Sequence, residues 1–139
     1  MLDFCIIGSG ISGSSIANLL KKKYTVKVFD KAKGIGGRSS FKRYNEKIGF
    51  DHGLQYLSPR SKEFKSFTNN LLKKKVLKKW KGHHKFLNKK VQNNRKHIKL
   101  IGVKGNNDIS KYLLKNINCS FQSELSKIKR KKKLLVFKI

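Results

Sequence analysis

The sequence predicts an α/β fold with a parallel sheet, and three observations near its start predict it. A short apolar run, Asp3–Ile7, ends at a glycine. Gly8, Gly10 and Gly13 then lead into a helix-like run. Beyond it an alternating stretch, YTVKVFD (Tyr24–Asp30), ends on an acid. Together they make a β-α-β unit of about 30 residues, the length such a unit needs.

Each element has its own signal. The run to Ile7 suits a buried parallel strand, since such strands read as continuous apolar stretches. Ile11 to Lys23 reads as a helix with Ile16, Leu19 and Leu20 facing inward, and its terminal lysines suit the helix dipole. Tyr24–Asp30 is rich in β-branched and aromatic residues, as a second strand requires. A glycine-rich loop follows at Gly34, Gly36 and Gly37, then Arg38. IGFDHGLQYLS brings Asp51, Gly53, Gln55 and Tyr56 to a loop-and-strand junction.

Residues 61–80 predict a helix with Phe64, Phe67, Leu71 and Leu72 on one face, running toward Val76 and Trp80. His83 to Val103 suggests a β-hairpin. GNNDISKYLLKNI predicts a helix capped by Asn107 or Asp108. CSFQSELSKI and LLVFKI read as paired strands joined by the turn KRKKK. No internal repeat or linker separates these elements, so residues 1–139 read as one domain.

Composition narrows the function classes. The formal charge is +28, and lysines supply 30 of the 35 basic residues. Evenly spread lysine, with abundant asparagine and isoleucine, reads as chain-wide bias more than as a nucleic-acid surface, where arginine and aromatics gather on one face. A basic nucleic-acid-binding protein stays as the alternative. Cys5 and Cys119 lie far apart in apolar stretches, which suggests no disulfide framework and a reduced, cytoplasmic setting. No run approaches the roughly 18 apolar residues of a membrane span. Asp3 and the interrupting glycines argue against a signal peptide. His83 and His84 lack partners at metal-ligand spacing, and KIKRKKK (Lys127–Lys133) reads as a solvated turn.

The glycine spacing carries chemistry. Gly8 allows a tight turn out of the strand, Gly10 lets a pyrophosphate approach the backbone, and Gly13 lets the helix pack closely on the sheet. The helix N-terminus then offers free N–H groups and positive dipole to phosphates. Asp30 lies at the end of the second strand, where a carboxylate accepts hydrogen bonds from ribose hydroxyls and disfavours a 2′-phosphate. Strand, spacing and acid together predict a Rossmann-like dinucleotide-binding fold with β-hairpin additions.

Two further segments carry a family resemblance. DKAKGIGGRSS resembles the acid-then-GGR segment of FAD-binding oxidoreductases of the amine-oxidase group, and FDHGLQYLS resembles a segment of their renalase-like members. The order of elements in GVKGNNDISKYLLKNI, FQSELSKI and LLVF is similar too. The resemblance is strongest across residues 4–58 and weak from residue 82 onward.

It implies FAD as cofactor, with Gly8, Ser9, Gly10, Ile11, Ser12 and Gly13 around the pyrophosphate. Asp30 and Lys31 would lie at the adenosine ribose, and Gly37 and Arg38 at the phosphates or ribityl chain. Gln55 and Tyr56 would approach the isoalloxazine, and the backbone of Leu125 the adenine. The activity implied is hydride transfer to FAD from a dihydronicotinamide-type or amine-like substrate, with no side chain named as catalytic acid or base. Against the family pattern, Leu54 stands in place of alanine, and the chain corresponds only to the FAD-binding N-terminal portion, without the substrate domain.

Overall fold

The computed structural model describes residues 2–81, 98–131 and 134–138. Its centre is a parallel sheet built from β1 (Phe4–Ile7), β2 (Val26–Phe29) and β7 (Asn118–Ser120), in the order β1-β2-β7. Phe4 stands opposite Val26 and Ile7 opposite Phe29, while Val28 stands opposite Cys119. Helix α1 (Ile11–Leu20) crosses from β1 to β2. The β-α-β unit is therefore as expected, and the fold is a Rossmann-like α/β fold with a parallel sheet. No described helix is long and apolar enough to cross a membrane.

The inward face of α1 differs from the expectation. Ile16 and Leu19 are 51% and 67% exposed, whereas Ser14 and Ala17 are buried and Leu20 packs against the core. The reason is close approach: α1 crosses its sheet where only Gly13, Ser14 and Ala17 fit, so small residues, not large ones, make the contact. Ala17, Val26, Val28 and Leu114 form a small core there, flanked by Ile6, Leu20 and Ile117.

Between β2 and β7 the chain makes a long excursion. A single 3-10 turn (Gly37–Ser39) follows the glycine loop, then β3 (Phe41–Arg43) pairs antiparallel with β4 (Gly49–Asp51). Helix α2 is shorter than expected. It spans Lys62–Lys73, capped by the Ser61 hydroxyl accepting from Phe64 N–H, and Lys75 then takes a left-handed φ of 56°. That turn throws Val76 and Leu77 into the core and starts β5 (Leu77–Lys79), a strand where helix was expected.

β5 pairs antiparallel with β6 (Leu100–Gly102). Most of the expected 83–103 hairpin lies outside the described residues, and its described end pairs with β5 instead. Leu57, Leu71, Val76, Leu77, Leu100, Ile109 and Leu113 make the second core, between α2, the β5–β6 pair and α3 (Asp108–Leu113). Asn107 is the α3 cap position, although its side chain makes no capping bond.

At the end of the chain, residues 118–120 join β2 and not the terminal strand, which corrects the expected CSFQSELSKI pairing. The terminal hairpin is β8 (Lys127–Lys131) with β9 (Leu134–Lys138), so part of the expected KRKKK turn is strand. Its tip lies outside the described residues, as do His83 and His84.

Candidate dinucleotide cleft

An open cleft of about 340 Å³ lies at the carboxyl ends of β1 and β2, where ligands bind in parallel α/β sheets. It is lined by Ile7, Gly8, Gly10, Ile11, Ser12, Gly13, Gly36, Arg38, Ser39 and Leu54. The first glycine loop therefore faces the second, and a parallel bridge between Gly10 and Gly36 zips the two together.

The floor of the cleft follows from Gly8 and Gly13. Gly8 has a φ of +97°, a turn that side-chain-bearing residues rarely adopt. A Cβ on Gly13 would lie 2.1 Å from the Gly8 carbonyl oxygen, so only glycine lets the helix start this close to the strand end. Helix α1 begins with no side-chain cap and no acid in its first turn. Its first N–H groups and the positive end of its dipole are thus left for an anion, and the nearest cation on the rim is Arg38.

Asp30 has a definite job. One carboxylate oxygen accepts from the Ser9 N–H at 2.7 Å and from the Ser9 hydroxyl, and the other accepts from Ala32 N–H at 2.9 Å. The Ser14 hydroxyl donates to the Ser9 carbonyl from the helix side. Ser9 is fully buried, beneath the cleft and not on its wall. The acid at the end of β2 thereby fixes the loop after β1. Three acceptor sites are in use, which leaves roughly one of a carboxylate's four for a ribose hydroxyl.

Burial pushes the Asp30 carboxyl up, but the bonds from the Ser9 hydroxyl, Ala32 and Ser9 N–H, together with the Lys31 charge, more than offset it and hold the group below its ordinary value. A depressed carboxyl stabilises the fold above the unfolded value of about 4, and that contribution is lost as pH falls through the folded value. Acid unfolding followed by circular dichroism should thus show a limb below about pH 4 that flattens in Asp30→Asn, where the titrating group is gone.

The other candidate residues divide. Gly8, Gly10, Ile11, Ser12, Gly13 and Arg38 line the cleft. Gly37 is exposed and not among the lining residues, at a φ of +53° and close to Gly10. Lys31 is exposed and makes a long 3.9 Å ion pair with Glu124, a contact of little energetic weight at the surface.

Leu125 is half-buried, on a segment that runs beside the end of β2: Gln122 N–H donates to Ala32 and Ser123 N–H to Asp30. Gln55 and Tyr56 are not among the residues lining the cleft. Gln55 is exposed, and Tyr56 stacks on Trp80 at 5.5 Å with the Lys99 ammonium over both rings. Leu54, the residue standing where the family pattern has alanine, does line the cleft.

Sequence reading missed the brace behind the second loop. Asn106 is fully buried, accepts from Gly102 N–H at 2.9 Å and donates to the carbonyls of Leu54 and Gln55. Its own N–H donates to Asp51. Asn107 packs against Gly36, whose added Cβ would lie 2.9 Å from that of Asn107. GNNDIS reads locally as a helix cap, and nothing in it announces contacts some 50 residues away.

The residues present fit the diphosphate of a dinucleotide: an uncapped helix start, a glycine-lined approach, an arginine on the rim, and an acid at the second strand's end. Among the described residues no group of three His, Cys, Asp or Glu side chains could hold a metal ion. Burial pushes both thiols up, Cys5 against a smaller opposing pull from Lys27, which keeps them protonated and poor nucleophiles. Residues 6–71, from β1 through α2, match the family model of the NAD(P)-binding Rossmann-like domain.

Proposed function

We propose that this chain binds FAD and serves as the cofactor-holding portion of a renalase-like flavin-dependent oxidoreductase. The observation that carries this reading is the uncapped start of α1, opening onto a cleft shared by two glycine loops and Arg38. The matched domain type is common in FAD-dependent oxidoreductases and amine oxidases, which supports it further.

In this reading the N–H groups at Ile11, Ser12 and Gly13 hold the pyrophosphate, with Arg38 as a forked cation beside it. Asp30 orients the glycine loop through Ser9 and offers its remaining acceptor site to the ribose. Bound FAD supplies the acceptor for a hydride from a dihydronicotinamide-type or amine-like substrate. Lys31, Gly37, Gln55, Tyr56 and Leu125 stay in the proposed cofactor set, with Tyr56 needing to leave its stack on Trp80 to face a flavin ring.

The nucleic-acid alternative loses ground on charge placement. Among the described residues, exposed lysines occur after α1 (Lys22, Lys23), along α2 (Lys62, Lys65, Lys73), on β5 (Lys78, Lys79) and on α3 (Lys111), spread over separate elements and not concentrated on one.

The test is visible absorption of the chain after incubation with FAD and removal of free flavin, alongside NADH fluorescence. Retained, perturbed flavin absorbance is the expected result. Binding of NADH alone would keep the dinucleotide site and refute the flavin assignment. Ser12→Asp sharpens the test, because Ser12 lies exposed in the first turn of α1 and on the cleft wall. The new carboxylate should stabilise the helix start by about 0.5 kcal/mol yet repel phosphate, so Tm holds or rises while FAD affinity falls about tenfold or more.

A further inference from the structure

We propose that Leu54 is the specificity-determining residue of the cleft, the apolar wall against which the flat ring of a bound flavin packs; this rests on the FAD reading above. The lining of the cleft divides by chemistry. The open start of α1, Ser12, Arg38 and Ser39 form its polar part, and Ile7, Ile11 and Leu54 its apolar part. A diphosphate uses the first and leaves the second untouched. An apolar wall with a few placed polar groups suits a ligand that joins a flat, weakly polar ring to that diphosphate.

Leu54 is held where it stands. Its N–H donates to the Arg38 carbonyl at 2.9 Å, and its own carbonyl accepts from Asn106 at 2.6 Å. A Cβ on the preceding Gly53 would lie 2.2 Å from that same Arg38 oxygen, so the segment runs tight against the arginine backbone. The Leu54 side chain, like that of Ile11, is partly buried against the core that contains Leu57, Leu71 and Ile109. The rest of it borders the cleft. A pinned backbone and a half-packed side chain make a wall of fixed position.

The direction of the ligand follows from Asp30. That acid holds Ser9 behind the first glycine loop, at the end of β2 where Ser123 N–H also bonds, and takes the nucleoside half. The redox half then extends past Arg38 toward Leu54, the apolar residue that the second segment contributes to the cleft. Gln55 is exposed and Tyr56 lies on Trp80, and neither lines the cleft as Leu54 does.

Calorimetric titration of the full chain with FAD and with ADP-ribose, which keeps the diphosphate and adenosine but has no flavin, tests this. The native chain should bind FAD about tenfold or more tightly than ADP-ribose. Leu54→Ala should remove about tenfold of FAD affinity and change that of ADP-ribose by less than about twofold. Leu54→Met keeps the apolar bulk and should retain the preference. Equal losses for both ligands in Leu54→Ala overturn the proposal, because they mark a residue that only braces Arg38. So does FAD affinity that holds or rises. A native chain that binds ADP-ribose as tightly as FAD overturns it too, and leaves the dinucleotide site standing; one that binds neither takes the FAD reading down with it. In the FAD-loaded native chain, nuclear Overhauser contacts should join the Leu54 methyls to the flavin ring protons. Their absence overturns the proposal even where a variant fails to fold.

Discussion

Gly13→Ala is expected to cost about 3 kcal/mol of folding stability and to abolish dinucleotide retention. The added Cβ would sit 2.1 Å from the Gly8 carbonyl oxygen and 3.4 Å from a methyl of Ile6. Neither neighbour can simply rotate away. The Gly8 oxygen is backbone, Gly8 N–H is bonded to Phe29, and Ser9 is held by Asp30 and Ser14. Relief requires moving the start of α1 away from β1, which opens the small core at Ala17 and Val28 and displaces the N–H groups that line the cleft. Gly34→Ala is the control, because nothing lies within 4 Å of its added Cβ. It should change stability by less than about 0.5 kcal/mol in urea denaturation. Equal losses in both variants would contradict the close-packing account.

The contrast between these two glycines shows what a sequence can disclose. The spacing of Gly8, Gly10 and Gly13 between an apolar run and an alternating one is local information, so β1, α1 and β2 are legible from it. The facing of α1 is not. Apolar size points to Ile16 and Leu19, whereas the distance imposed at Gly13 admits only Ser14 and Ala17. Likewise, the left-handed turn at Lys75 that ends α2 has no residue signature, since lysine carries no preference for it.

Strand β7 is three residues long and pairs with a partner some ninety positions earlier, a contact that no local pattern can encode. The cleft divides in the same way. Gly8, Gly10, Ile11, Ser12 and Gly13 come from one motif and line one wall, but the second wall depends on Gly36 reaching Gly10. That approach is set by the buried asparagines behind it, which the sequence presents only as a helix cap.

Those asparagines give the second large effect. Asn106→Ala is expected to lower stability by about 3 kcal/mol, near the upper end for one polar side chain, because it strands polar groups on two separate segments. The Asn106 side chain accepts from Gly102 N–H at the end of β6 and donates at 2.6 Å to Leu54 and at 3.3 Å to Gln55. Removing it leaves the N–H of buried Gly102 and a part-buried carbonyl without their partner. Asn106→Asp distinguishes this from a simple loss of volume. Aspartate keeps the size and the bond from Gly102, yet it places a carboxylate oxygen against two carbonyls. At neutral pH it should be no more stable than alanine. The loss should also reach the cleft, since Leu54 lines it and Leu54 N–H is bonded to the Arg38 carbonyl. Freed of its brace, that segment lets the arginine rim drift from the start of α1. Retained FAD should then fall in both variants at temperatures well below their unfolding midpoints, whereas a brace that served stability alone would leave retention unchanged there.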